Sequence, residues 1–74
     1  MNNVRANAVA TIVGDAVTSK GRCHLWRVEV SGLPPHVHER IYSIEGGNGE
    51  DAERIAAFEG IRRFVEEMEN MNAS

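Results

Sequence analysis

Four side chains in the first half of the chain carry the groups that most often bind metal ions, namely Cys23, His24, His36 and His38. A His-x-His pair on a strand places both imidazoles on one face, in a geometry that zinc accepts. In an antiparallel hairpin, however, this pair lies near the loop, whereas His24 lies near the open end, roughly 20 Å away. A closed zinc site needs four ligands, and these side chains are too far apart to supply four at one place within one chain. The sequence therefore predicts no metal site and no cofactor.

The segment 47–52, Gly-Asn-Gly-Glu-Asp-Ala, matches the G-x-G-x-x-A pattern of dinucleotide-binding loops. That fingerprint requires a parallel strand after the helix, and only a few residues follow the helix here. Glu50 and Asp51 also occupy the positions where a pyrophosphate would bind, and they would repel it. The pattern therefore predicts a connection and a helix cap, with Asn48 as the N-cap residue.

Residues for nucleophilic or acid–base catalysis do not converge. No serine has a spacing that places a base beside it, and neither does Cys23. The glutamates of the second half are distributed around the solvated side of a helix. The sequence therefore predicts that the protein is not an enzyme and has no catalytic residues.

Length and composition predict one small domain over residues 1–74, with flexible ends at about 1–5 and 70–74. The single cysteine excludes an intrachain disulfide. The N-terminus lacks the layout of a signal peptide, and no stretch approaches the roughly 20 apolar residues of a membrane span. We therefore expect a soluble, cytoplasmic protein without a membrane partner.

The clearest periodicity lies in the second half and predicts a helix over about residues 48–71. Apolar residues recur there at three- and four-residue steps, at Ile55, Phe58, Ile61, Val65 and Met68. Alternating and β-branched segments predict three strands, at about 8–17, 23–30 and 37–45. The short connections indicate an α+β fold in which a three-stranded antiparallel sheet is followed by one C-terminal helix packed on one face (β-β-β-α).

The register of the sheet can be predicted from pairing chemistry. Setting Val28 opposite Ile41 also sets Glu29 opposite Arg40, and centring the first hairpin on Lys20 sets Ile12 beside Val28. The helix then covers the side of the sheet that carries Val28 and Ile41. The other side keeps an apolar cluster of Val9, Val13, Leu25, Tyr42 and Ile44.

One helix covers one side of a sheet, so this cluster predicts a second protein surface, most simply another copy of the chain. The alternative is a monomer in which the N-terminal strand is short or folds over that side. We therefore expect a small non-catalytic binding or regulatory module, homodimeric through the sheet face that the helix leaves uncovered, with a different protein partner as the other option.

A second functional hypothesis is DNA binding by the sheet. The strand Trp26-Arg27-Val28-Glu29-Val30 and the helix entry Glu50-Asp51-Ala52 resemble, in topology, the arm-binding domains of tyrosine recombinases and the plant ethylene-response domains. This resemblance implies that the exposed sheet face contacts the major groove. The contacting residues would be Lys20, Arg22, Arg27, His38, Arg40 and Tyr42. Those families are usually much more basic than this chain, whose net charge is −3.

The order of elements is also similar to that of HicB-type antitoxins. The segment Ser31-Gly32-Leu33-Pro34 and the acidic, alanine-spaced helix from Glu50 to Gly60 carry this resemblance. The strand that follows the helix in those proteins is missing here. Neither resemblance covers a specific motif, so neither assigns the chain to a family.

Overall fold

A computed structural model describes residues 4–47 and 49–73, and side-chain positions up to Met71. Its elements are β1 (Ala6–Thr18), β2 (Gly21–Gly32), β3 (Glu39–Gly46) and α1 (Ala52–Ala73). The three strands form one antiparallel sheet in the order β1-β2-β3, and α1 packs against one side of it. The predicted α+β fold is confirmed.

A two-residue turn at Ser19 and Lys20 joins the first two strands. The predicted hairpin, centred on Lys20, would have a connection one residue longer. Gly21 follows this turn with φ of 115°, a backbone conformation that side-chain-bearing residues rarely adopt. The Thr18 hydroxyl donates to the Gly21 carbonyl at 3.1 Å and accepts from the Lys20 amide at 3.2 Å. These bonds fix the end of the hairpin.

A β-bulge lies at Val13, where the register shifts between Ile12 and Gly14. Ile12 consequently pairs with Trp26, and the predicted pairing of Ile12 with Val28 is wrong. In a bulge, two residues of one strand oppose one residue of the other. Val13 and Gly14 together therefore face Leu25.

The third strand begins at Glu39, two residues later than expected, and its register is one residue away from the prediction. Val28 pairs with Tyr42 and Glu29 pairs with Ile41. A turn precedes the strand, in which the Gly32 amide donates to the His38 carbonyl at 2.8 Å. Because side chains alternate between faces, a shift of one residue exchanges the two faces of β3.

The hydrophobic core lies between the sheet and α1. The sheet contributes Ala10, Trp26, Val28, Val30 and Ile44. The helix contributes a stripe at strict four-residue spacing, consisting of Ala52, Ala56, Gly60, Phe64 and Met68. Small residues in its first half allow the helix backbone to approach the sheet closely, whereas the larger residues fill the space at its C-terminal end.

The predicted apolar stripe of the helix is only partly the buried one. Met68 is in the core, but the side chains of Ile55 and Phe58 are 64% and 69% exposed. The helix also continues to Ala73, past the predicted end at residue 71. The proposed N-cap, Asn48, lies outside the described residues.

Candidate interaction face

The side of the sheet that faces away from α1 is the candidate site, and we call it the uncovered face. Alternation along the strands, together with the bulge, places nine central side chains on it. They are Val9, Thr11 and Val13 of β1, Leu25, Arg27 and Glu29 of β2, and Ile41, Ser43 and Glu45 of β3. Each β2 residue lies between a residue of β1 and a residue of β3, so the face is a regular three-column array.

Several apolar side chains on the uncovered face are largely exposed. Val9, Val13 and Ile41 are 63%, 54% and 60% exposed, and Leu25 is half-buried. Val9 and Ile41 flank Glu29 in one row, and Val13 and Leu25 are neighbours across the bulge. The apolar side chains thus form two groups, which are separated by the row of Thr11, Arg27 and Ser43.

Two charged residues occupy the centre of the uncovered face. Arg27 donates to Glu29 two residues further along the same strand, with 2.8 Å between Nη2 and Oε1. Both side chains are about half exposed, so water screens their attraction. The face therefore combines apolar flanks with one positive and one negative group near its middle.

Two of the five residues predicted for the partner face lie on the opposite side of the sheet. Ile44 is a core residue, only 4% exposed, and Tyr42 packs against the core. Both are displaced by the one-residue difference in the register of β3. Ile41, which was expected beneath the helix, lies on the uncovered face in their place. Val9, Val13 and Leu25 lie where the sequence placed them.

The six residues of the DNA-binding hypothesis do not share one face. Arg27 is on the uncovered face, whereas Arg40 points to the helix side and donates to Glu67 of α1 at 2.6 Å. Tyr42 is also on the helix side. The remaining three residues lie outside the central array: Lys20 and Arg22 are at the β1–β2 turn, and His38 is in the connection before β3.

The histidines are separated as the sequence predicted. His24 pairs with Gly46 at one end of the β2–β3 ladder, and His38 lies beside Gly32 at the other end. The Nδ1 atom of His24 is 2.9 Å from a carboxylate oxygen of Asp15 on the neighbouring strand. Among the described residues, no group of three or more His, Cys, Asp or Glu side chains could hold a metal ion.

A shallow groove of about 700 Å³ runs between β3 and the second half of α1. Tyr42, Arg62, Arg63, Glu66 and Glu67 contribute to its walls. The Tyr42 hydroxyl is buried and makes no hydrogen bond to the described residues. Burial raises the pKa of Tyr42 above its ordinary value, and the negative charge of Glu67 raises this pKa further.

The sequence did not predict that an apolar pair, Ile55 and Phe58, is exposed on the outer side of α1. These residues are three positions apart, so they are neighbours on the helix surface. Ion pairs lie nearby along the helix, including Arg54 with Asp51 at 2.9 Å and Arg62 with Glu59 at 2.6 Å. The four-residue spacing of Ala52, Ala56 and Gly60 was the signal that distinguishes the buried stripe from this pair.

The sequence matches no protein family, and neither the curated proteins nor the solved structures gave a match. No helix in the described part of the chain has the length and apolar character needed to cross a membrane.

Proposed function

We propose that this protein is a small non-catalytic binding module that acts as a homodimer joined through the uncovered face. The observation that carries the proposal is the exposure of Val9, Val13 and Ile41 on one side of the sheet, over which no described element packs. Burial of these side chains against a second copy would remove apolar surface from water. Each Å² of apolar area buried contributes about 25 cal/mol.

The dimensions of the face support a second copy as its partner. With three strands about 4.8 Å apart, the face is roughly 14 Å wide, and the 12 residues of β2 extend about 40 Å. The flat projection is thus on the order of 550 Å², and the relief of the side chains increases the accessible area. The face is therefore of the size of a standard protein interface, which buries about 800 Å² on each partner.

DNA binding by the sheet has less support as a function. The uncovered face carries Arg27, but this residue already pairs with Glu29, and Glu45 adds another negative charge. Binding to the phosphate backbone depends on an excess of positive groups at the contact surface. The two cations at the hairpin end, Lys20 and Arg22, lie outside the central array.

The proposal is tested by measuring the mass of the protein in solution. Light scattering after size-exclusion chromatography is expected to give twice the chain mass of 8.2 kDa. Leu25→Asp and Ile41→Asp should each shift the protein to monomer, because each would bury a carboxylate in the interface. Phe58→Asp on the outer side of α1 is the matched control and should leave the dimer intact.

Circular dichroism on every variant separates loss of assembly from loss of folding. Ile41 is more exposed than Leu25, so Ile41→Asp remains informative if Leu25→Asp unfolds the chain. A wild-type protein that stays monomeric at high concentration would refute the proposal. A dimer that persists in folded Ile41→Asp would refute the assignment to this face.

A further inference from the structure

The central strand carries both charged residues at the middle of the uncovered face. Arg27 lies between Thr11 and Ser43 in one row of the array, and Glu29 lies between Val9 and Ile41 in the next. The two side chains form an ion pair within the chain while each remains about half exposed. Their positions beside the apolar flanks mean that any partner covering this face must also accommodate both charges.

Symmetry limits how two copies can cover these charges. When two identical sheets pack face to face, the two-fold axis lies in the plane between them. An axis parallel to the strands places Arg27 over Arg27 and Glu29 over Glu29 of the second copy. An axis across the strands, passing between the two residues, places each of them over its opposite charge.

We infer that Arg27 of each copy pairs with Glu29 of the second copy, about a two-fold axis that crosses β2 between these residues. This inference rests on the proposed function and specifies the orientation of that dimer. Like charges that face each other across an interface oppose association, whereas complementary charges fix the register of two surfaces. The pair within each chain is thus exchanged for two pairs between chains.

The same axis also determines what covers the apolar residues beside the charges. Val9 lies over Thr11 of the second copy on the β1 side, and Ile41 lies over Ser43 of the second copy on the β3 side. The central charges therefore lie between Val9 on one side and Ile41 on the other. At the ends of β3 the axis also places Glu45 over Glu39 of the second copy, but both glutamates are exposed, so water and salt screen their repulsion.

Charge reversal tests the inference because the dimer can be measured directly. Arg27→Glu places two negative groups in each contact, and Glu29→Arg places two positive groups there. Each single variant is expected to dimerise at least ~100-fold more weakly than wild type. An equimolar mixture of the two variants should form mixed dimers with affinity near that of wild type, as measured by native mass spectrometry with one variant isotopically labelled.

The exchanged variant Arg27→Glu/Glu29→Arg establishes the direction of the axis. An axis across the strands preserves both opposite-charge contacts, so this variant should dimerise with itself. When it is mixed with wild type, mixed dimers should be rarer than the statistical half, because like charges then meet. An axis parallel to the strands predicts the reverse, namely preferential mixed dimers.

Arg54→Glu on α1 is the control, because it changes the net charge by the same amount as Arg27→Glu but lies outside the uncovered face. If the single reversals at Arg27 and Glu29 weaken the dimer no more than this control does, the inference is wrong. The proposed function then still stands, provided that Ile41→Asp is monomeric. A monomeric wild type would overturn both.

Discussion

Gly60 of α1 lies so close to Val28 of β2 that a Cβ atom added to the glycine would overlap the valine side chain. The same Cβ would lie 3.4 Å from Cγ2 of Val30. Val28 is completely buried on the central strand, so it has little freedom to move away. The glycine in the middle of the helix therefore sets the distance between the helix and the sheet.

Gly60→Ala is consequently expected to destabilise the protein, although alanine favours helices by about 1 kcal/mol over glycine. Overpacking of a close-packed core costs about 1–3 kcal/mol, which offsets or exceeds this gain. We expect the free energy of unfolding, measured by urea denaturation at a fixed protein concentration, to fall by about 1 kcal/mol. In a Val28→Ala background, the same substitution should instead be neutral or stabilising. Stabilisation in the wild-type background would contradict the close contact.

Two phenylalanines of α1 provide a matched pair for the buried side of the helix. Phe64 is completely buried, whereas Phe58 is 69% exposed. Phe64→Ala should lower the free energy of unfolding by about 3–5 kcal/mol, because it leaves a cavity in the core. Phe58→Ala should change it by less than about 0.5 kcal/mol.

Thermal and urea unfolding of both variants test this assignment. Because the sequence pattern alone places Phe58 on the buried stripe, the comparison distinguishes the two helix orientations directly. Similar losses for the two variants would mean that the helix is rotated relative to the structure.

The order of the elements could be predicted from the sequence, because it depends on local patterns. Alternation identified the strands, and the glycine-rich segment before Glu50 identified the start of the helix region. Short connections then left an antiparallel arrangement as the simple solution. These features involve residues that are near each other in the chain.

Register depended on contacts between residues that are far apart, and the pairing chemistry used for it was misleading. Arg40 was matched with Glu29 across the strands, but Arg40 pairs with Glu67 of the helix and Glu29 pairs with Arg27 of its own strand. The bulge at Val13 has no distinctive sequence signal except the adjacent Gly14. Because one residue of shift exchanges the faces of a strand, the prediction put Ile41 beneath the helix and Tyr42 and Ile44 on the uncovered face, which is the reverse of the structure.

The prediction of which side of the helix is buried was wrong for a related reason. Ile55 and Phe58 are the larger apolar residues in the first half of the helix, so the pattern of hydrophobicity placed them in the core. The sheet already supplies Trp26, Val28 and Val30 at this level, and small helix residues fit against them. Which helix residues fit against the sheet depends on the sizes of the sheet residues opposite them, so the hydrophobic pattern of the helix alone could not predict its buried side.

The Tyr42 hydroxyl gives a prediction about a buried polar group. It makes no hydrogen bond to the described residues, and an unsatisfied buried hydroxyl costs about 1–3 kcal/mol. Tyr42→Phe removes this group and keeps the ring, so we expect stability to be unchanged or to rise by up to about 1 kcal/mol. A loss of more than about 1 kcal/mol in urea denaturation would show that the hydroxyl has a favourable partner.

The acid dependence of stability should include a contribution from Glu59. Hydrogen bonds from Arg62, and a further one from Arg63, lower the pKa of Glu59 from 4.5 to about 2. A carboxyl group with a lower pKa in the folded state stabilises the protein above the pKa that it has when unfolded. This contribution is lost as the pH falls from about 4.5 through about 2.

Glu59→Gln removes this contribution while keeping the side-chain shape. Because the ion pairs are near the surface, we expect a loss of only about 0.5–1 kcal/mol at pH 7. The difference between variant and wild type should shrink as the pH falls toward 2, since about half of wild-type Glu59 is then protonated. Urea denaturation at pH 7, 4 and 2.5 measures the convergence, and Glu53→Gln, at an exposed glutamate in the first turn, is the control. A difference that stays constant across this range would mean that the Arg62 contact does not depend on the charge of Glu59.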